Sequence, residues 1–156
     1  MALMEKSLIL VAHFDLEARG KLYEQVARLE WPENTELKAV DRYHATLLYS
    51  HERTQEGEDW LLEQVAKAPK FQASSGEFAV FSNAGDYELF PVVLKLNAPE
   101  LTAFAENLLD QASAHGLKPS RFEGGFKAHI TVAFSTDVPR GKIDPMDFEI
   151  SHLGFW

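Results

Sequence analysis

Apolar residues along this chain follow two rhythms, one of strands and one of helices. SLILVAHF (7–14) is a continuous apolar run of strand length, bounded by polar residues. DLEARGKLYEQVARLEW then spaces Leu16, Leu22, Val26 and Leu29 at near-helical intervals behind a candidate Asp15 cap. WPENTE reads as a turn or loop, RYHATLLYS (42–50) as a strand, and the polar HERTQEGE after it as exposed. EDWLLEQVAKAP is a short amphipathic helix ended by Pro69. FQASSGEFAVFS and YELFPVVLKLNA are strands around the turn signal SNAGD. PELTAFAENLLDQASAHGL opens with proline at a helix start, keeps Leu101, Phe104, Leu108 and Leu109 on one face and stops at Gly116. The loop KPSRFEGGF leads to the strand KAHITVAFS (127–135), and a polar, proline-containing loop precedes a last strand, FEISHLGFW.

The layout repeats. Strand, helix and His-Thr strand occur as SLILVAHF, helix, HATLLYS, and again as PVVLKLNA, helix, HITVAFS. Ile9 and His44 are 35 positions apart (44 − 9), Val93 and His129 are 36 (129 − 93), and each His-Thr strand is followed by a further strand, FQASSGEF or FEISHLGF. RYHATLLYS and KAHITVAFS also match in kind, pairing Arg42 with Lys127, His44 with His129, Thr46 with Thr131, Leu47 with Val132, Tyr49 with Phe134 and Ser50 with Ser135. Matching element order at near-equal spacing is the mark of duplication. It predicts two α+β lobes related by a pseudo-twofold axis, their His-Thr strands facing one cleft, within a single domain over 1–156.

Composition narrows the picture. With 156 residues, 46% hydrophobic and 12% aromatic, the chain is one domain's worth with enough apolar residues for a packed interior. A net charge of −9 argues against coating long nucleic acid, which needs many Lys/Arg–phosphate contacts, but leaves room for a short nucleotide in a locally basic cleft. The absence of cysteine removes disulfides, thiolate metal sites and a Cys nucleophile together. MALMEKSLILVAHF lacks the features of a secretory signal, and no apolar run reaches bilayer-spanning length. The expectation is a soluble, cytoplasmic monomer.

In a strand, successive side chains alternate faces, so His44 and Thr46 point one way, as do His129 and Thr131. With regular pairing, Arg42 and Lys127 join those faces at one end and Ser50 and Ser135 lie further along. The opposite faces then carry Tyr43, Ala45, Leu47 and Tyr49, or Ala128, Ile130, Val132 and Phe134. A pseudo-twofold axis brings two imidazoles and two hydroxyls together, which is what phosphodiester cleavage needs. One neutral imidazole takes a proton from an attacking hydroxyl or water, and the other, protonated, gives one to the leaving oxygen. The threonine hydroxyls can hold the non-bridging oxygens, Lys127 or Arg42 can offset developing charge, and no metal or cofactor is required. A ribose 2′-hydroxyl beside the phosphate is a ready nucleophile. Six histidines and six threonines in 156 residues give about 0.2 His-x-Thr pairs by chance. Two occur, at matching places in the repeat.

On these motifs, H-A-T-L from His44 to Leu47 and H-I-T-V from His129 to Val132, the chain resembles the 2H phosphoesterase superfamily over nearly its whole length. The resemblance implies an α+β, bilobal duplicated fold, with two antiparallel sheets flanked by helices around a central cleft. It also implies metal-independent cleavage or transesterification of 2′–5′, 3′–5′ or cyclic phosphodiesters, with His44, Thr46, His129 and Thr131 as catalytic residues. Members of that superfamily include 2′,3′-cyclic phosphodiesterases, so-called 2′–5′ RNA ligases, 2′–5′ oligoadenylate phosphodiesterases and phage anti-CBASS proteins that degrade cyclic oligonucleotides. No further motif selects among these, and compactness and acidity favour a small nucleotide signal over structured RNA.

The remaining candidates rest on position. Lys127 and Arg42 are taken as substrate-binding, although residues at a strand's start often simply reach solvent. Phe126 and Phe122 beside the GGF turn, Tyr87 in the hairpin and Trp156 are candidates for stacking on a base. His13, His51, His115 and His152 show no partner spacing, and neither HExxH, a Cys/His cluster nor a phosphate-binding G-x-x-x-x-G-K-[ST] loop occurs. Two other functions compete with cleavage: a nucleotide-sequestering module with little turnover, and RNA end-joining by the reverse transesterification.

Overall fold

The computed structural model describes residues 7–81, 88–121 and 124–156. Local signals place the helices. α1 (Leu16–Arg28) starts behind Asp15, whose carboxylate accepts the Ala18 N–H at 2.7 Å, and turns Leu22 and Val26 inward. α2 (Gln55–Lys67) begins three residues ahead of its apolar pattern because the Thr54 hydroxyl accepts the Gly57 N–H at 3.0 Å. Part of the segment expected to be a polar loop is thus the first turn of this helix. α3 (Pro99–Ala112) carries Pro99 at its first turn and runs through a 3-10 turn into Gly116, whose φ of 82° ends it.

The strands are β1 (Leu8–Phe14), β2 (Glu36–Leu37), β3 (His44–Ser50), β4 (Phe71–Val80), β5 (Phe90–Asn97), β6 (His129–Ser135) and β7 (Asp147–Phe155). The two-residue β2 begins at the last residue of WPENTE, the segment read as a loop; it is too short to carry a periodic signal. All pairings among the described residues are antiparallel, in the order β2-β6-β5-β4-β7-β1-β3. The two expected sheets are the halves of this one ladder, joined at its centre where β4 pairs β7 from Phe71↔Ile150 to Ser74↔Asp147.

Leave out β2 and the order reads alike from both ends when β1, β3 and β7 are exchanged for β5, β6 and β4. Each half-sheet therefore takes one strand from the other half of the sequence: β7 flanks β1, and β4 flanks β5. On one face, Leu10, Ala12 and Phe14 of β1 and Val92, Leu94 and Leu96 of β5 join Leu22, Val26, Leu101, Ala105 and Leu108 of the helices in a single apolar core. Burying one such leucine contributes roughly 1.5–3 kcal/mol. Val11 and Val93 are fully buried yet stand apart from that core. Val11 pairs with Thr46 and Val93 with Thr131, so the two valines floor the opposite, concave face. The sheet is curled strongly enough that Cα atoms of β3 and β6 come within 8 Å across that face, although four strands separate them in its order.

Candidate active site

Both His-Thr strands start abruptly at the histidine. A 3-10 turn, Val40–Arg42, precedes β3, and Lys127 lies before β6, so neither Arg42 nor Lys127 extends its strand as regular pairing implied. Instead their backbone carbonyls take up a new task. His44 Nδ1 is 2.8 Å from the Arg42 carbonyl oxygen, and His129 Nδ1 is 2.6 Å from that of Lys127. A carbonyl only accepts, so each Nδ1 carries its proton, and each ring addresses the cleft chemically through Nε2.

The alternation then breaks. β1 pairs Leu10 with Leu48 but Val11 with Thr46, leaving Leu47 extra; β5 pairs Val92 with Ala133 but Val93 with Thr131, leaving Val132 extra. A β-bulge thus follows each threonine and shifts every later residue by one place. Tyr49 and Phe134, expected on the core face, emerge at the surface, while Ser50 and Ser135 are fully buried. Ser50 accepts the Lys118 N–H at 2.9 Å, and Ser135 Oγ lies 2.7 Å from Thr35 Oγ1. Each serine so fastens a segment from the opposite half of the sequence along the His-Thr strand. Ser120 N–H donates to the Tyr49 carbonyl at 2.8 Å, and Lys38 N–H to the Val132 carbonyl at 2.9 Å.

The two imidazoles meet different company. The His44 ring lies 4.3 Å from the Trp156 ring, tilted by 30°, and the Arg42 guanidinium stands 4.8 Å from the same indole. Burial pushes the His44 pKa down, the Arg42 carbonyl opposes this, and Lys38, His13 and Arg42 push it down again as like charges. His129 meets the Phe81 ring edge-on at 4.7 Å. Its pKa is lowered by burial and partly restored by the Lys127 carbonyl. His129 shares a hollow of ≈ 270 Å³ with Thr46 of the opposite strand, Tyr49, Ser120, Arg121 and Phe126. Hollows of ≈ 350 and ≈ 590 Å³ elsewhere are lined by none of the four motif residues.

The fold therefore brings His44, Thr46, His129 and Thr131 to the concave face. Arg42 and Trp156 stand beside His44, whereas Lys127 is exposed and touches the site through its carbonyl. Phe126, expected to be open for stacking, is 9% exposed and packs with the core while lining the hollow. Tyr87 and Phe122 lie outside the described residues. Sequence reasoning missed Lys38, which sits half-buried over the Phe134 ring at 5.5 Å and acts on His44. It also gave no role to His13 and His152, which the sheet places in register with His44. No spacing rule finds these residues, because their approach depends on strand register.

No protein-family profile matches the sequence, and no curated protein matches it either. Solved structures do. The chain is similar to Escherichia coli LigT in complex with 3′-AMP, at 20% identity and a TM-score of 0.69, over 96% of this chain and 86% of that one. It is similar to a protein described as a phosphoesterase, at 21% identity and a TM-score of 0.70 over the same shares. A Thermus thermophilus protein matches at 21% identity and a TM-score of 0.62, again over 96% and 86%. LigT has also been crystallised with NADP+, ATP and phosphate. The chain has the fold of these proteins, as the His-x-Thr resemblance implied.

Proposed function

We propose that the concave face between β3 and β6 is the active site of a metal-independent phosphodiesterase for a small nucleotide or short oligonucleotide, with a cyclic oligonucleotide second messenger of the anti-CBASS type as its leading substrate. The observation that carries this reading is the matched pair of Nδ1–H···O=C bonds on His44 and His129, the latter in one hollow with Thr46. Two lobes of one domain share the site. The nucleotide and phosphate complexes of LigT support a ligand of this class.

One neutral imidazole accepts, at Nε2, the proton of a ribose 2′-hydroxyl or a water. That oxygen bonds to phosphorus while the bond to the leaving oxygen breaks, and the other imidazolium delivers its Nε2 proton to the leaving oxygen. Thr46 and Thr131 donate to the non-bridging oxygens, and Arg42 and Lys38 offset the charge that gathers there. Burial lowers both histidine pKa values in the free protein, so both rings are neutral above the ordinary range. A bound phosphate favours the charged form of a neighbouring imidazole and supplies the acid. Trp156 offers a face to a base, and Phe126 closes the hollow. In this reading the protein works as a cytoplasmic monomer, in the host cytoplasm if phage-encoded.

Turnover in EDTA tests it, with 3′,3′- and 2′,3′-linked cyclic dinucleotides, cyclic trinucleotides, 2′–5′ oligoadenylate and a 2′,3′-cyclic mononucleotide as substrates. The wild type is expected to cleave one cyclic oligonucleotide class, and His44→Ala and His129→Ala to lose that activity. Cleavage of the 2′,3′-cyclic mononucleotide alone would redirect the assignment to RNA-end processing. Binding without turnover would leave a sequestering module, and turnover surviving loss of both histidines would overturn the mechanism.

A further inference from the structure

Residues directly opposite in an antiparallel ladder place their side chains on one face. His13 of β1 is opposite His44 of β3 on one side and His152 of β7 on the other. The three imidazoles thus form a row across the concave face, about 10 Å long at the roughly 4.8 Å spacing of strands. The reaction above uses the first and leaves two idle. The His13 and His152 rings stack at 5.2 Å and 29°. Next along β7 on the same face is Gly154, where a Cβ would stand 3.3 Å from His152 Nε2 and 3.7 Å from His13 Nε2. Both Nε2 atoms therefore lie against one stretch of bare backbone, where any side chain at 154 would crowd them.

The surroundings of this pair are cationic. Burial, His152 and Arg19 of α1 all push the His13 pKa down, and His13 in turn acts on His44. Arg19 Nε is buried without a hydrogen-bond partner among the described residues. His13, stacked on His152 and beside Arg19, resists protonation until an anion relieves this repulsion. The three histidines form a line rather than a cage: no group of three His, Cys, Asp or Glu among the described residues is placed to hold a metal ion. The other half of the sheet has no matching pair, for Lys95 stands opposite His129 where His13 stands opposite His44. The duplicated framework does not require the row.

We propose that His13 and His152 form a second phosphate subsite beside His44, which holds the neighbouring phosphate of the substrate and so selects oligonucleotides, linear or cyclic, over mononucleotides. The proposal rests on the reading of the cleft as a phosphodiester site. Consecutive phosphates of an oligonucleotide sit on the 5′ and the 3′ or 2′ oxygens of one nucleoside. Adenosine 3′,5′- and 2′,5′-bisphosphate therefore present both phosphates without a bond to cleave, and 3′-AMP presents one.

Calorimetric titration with these three probes at pH 6 and pH 8 tests the subsite. One bisphosphate is expected to bind the wild type at least about tenfold tighter than 3′-AMP at pH 6, as one charge-assisted hydrogen bond provides. The ratio should shrink at pH 8, because the bound phosphate is matched by proton uptake on His13, whose pKa burial, His152 and Arg19 hold down, with His44 opposite it in the ladder. In His13→Gln/His152→Gln the ratio should fall to about one. In His152→Lys, which stays charged, the ratio should persist at pH 8. A wild-type ratio near one, or a ratio untouched in the double variant, overturns the second subsite alone. Failure of all three probes to bind removes the nucleotide reading of the cleft and this inference with it.

Discussion

His44 and His129 hold corresponding places in a near-palindromic sheet, yet their surroundings differ in kind. Both rings are anchored by a carbonyl two residues back, and both strands bulge after the threonine. Around His44, however, lie Lys38, Arg42 and His13, all of which push its pKa down, with Trp156 against its face; around His129 lie Phe81, Lys95 opposite it in the ladder and the wall of the hollow that carries Arg121. Duplication supplies shape twice, whereas charge is set separately in each half. In our reading this lets one framework hold two rings that respond differently to an arriving phosphate.

The harshest test removes each ring in turn. His44→Ala and His129→Ala should each lower kcat by about 10²–10⁴-fold, and the double variant should fall little further, because the two act as a unit. An effect confined to one histidine would break the equivalence at its root. Thr46→Val and Thr131→Val should cost less, roughly 10–100-fold in kcat/KM, in line with the loss of one donor to a developing charge. Inequality between these two would show which motif holds the oxygen that gains more charge.

The buried serines offer a comparison in stability. Ser50→Ala strands the Lys118 N–H and should cost about 1–3 kcal/mol in urea unfolding. Ser135→Ala should cost about 1 kcal/mol or less, because the Thr35 hydroxyl keeps its bond to the Pro32 carbonyl. Equal losses would mean that the two fastenings are alike after all.

Smaller shifts sharpen the electrostatic contrast. Lys38→Met removes a like charge from His44, so the His44 pKa should rise in an NMR titration while that of His129 stays in place. Movement of both would erase the distinction. The same two rings bear on stability. Their folded-state pKa values lie below the unfolded 6.5, so the unfolded chain binds more protons there. Stability should therefore be full above that value and be lost as pH falls from about 6.5 toward the lowered values. His44→Gln and His129→Gln should flatten the fall of Tm between pH 7 and 5.

Much of this arrangement is legible before any coordinates. The apolar runs, the Asp15 cap, the proline at the start of α3 and Gly116 behind it mark elements by local chemistry, and the twin His-x-Thr pairs mark the cleft. What local chemistry does not encode is partnership between strands. The bulges that send Ser50 and Ser135 inward depend on which residue of β1 or β5 faces each threonine. Lys38 approaches His44 because its segment is held against β6, and His152 is in line with His13 because β7 crosses to the first half of the chain. Phe126, which stands beside a glycine turn in the sequence, is 9% exposed in the core while lining the hollow, a placement that depends on tertiary packing rather than local chemistry.

The exchange of β4 and β7 between halves also governs how the chain reaches this state. Neither half of the sequence can complete its own half-sheet, and the central pair joins residues as distant as Phe71 and Ile150, 79 positions apart (150 − 71). Such contacts close late and only with most of the chain synthesised, which makes folding slow and cooperative. A ribosome-bound first half would wait with β1 bare on one flank, and severing the chain between β4 and β5 would yield two fragments obliged to find each other.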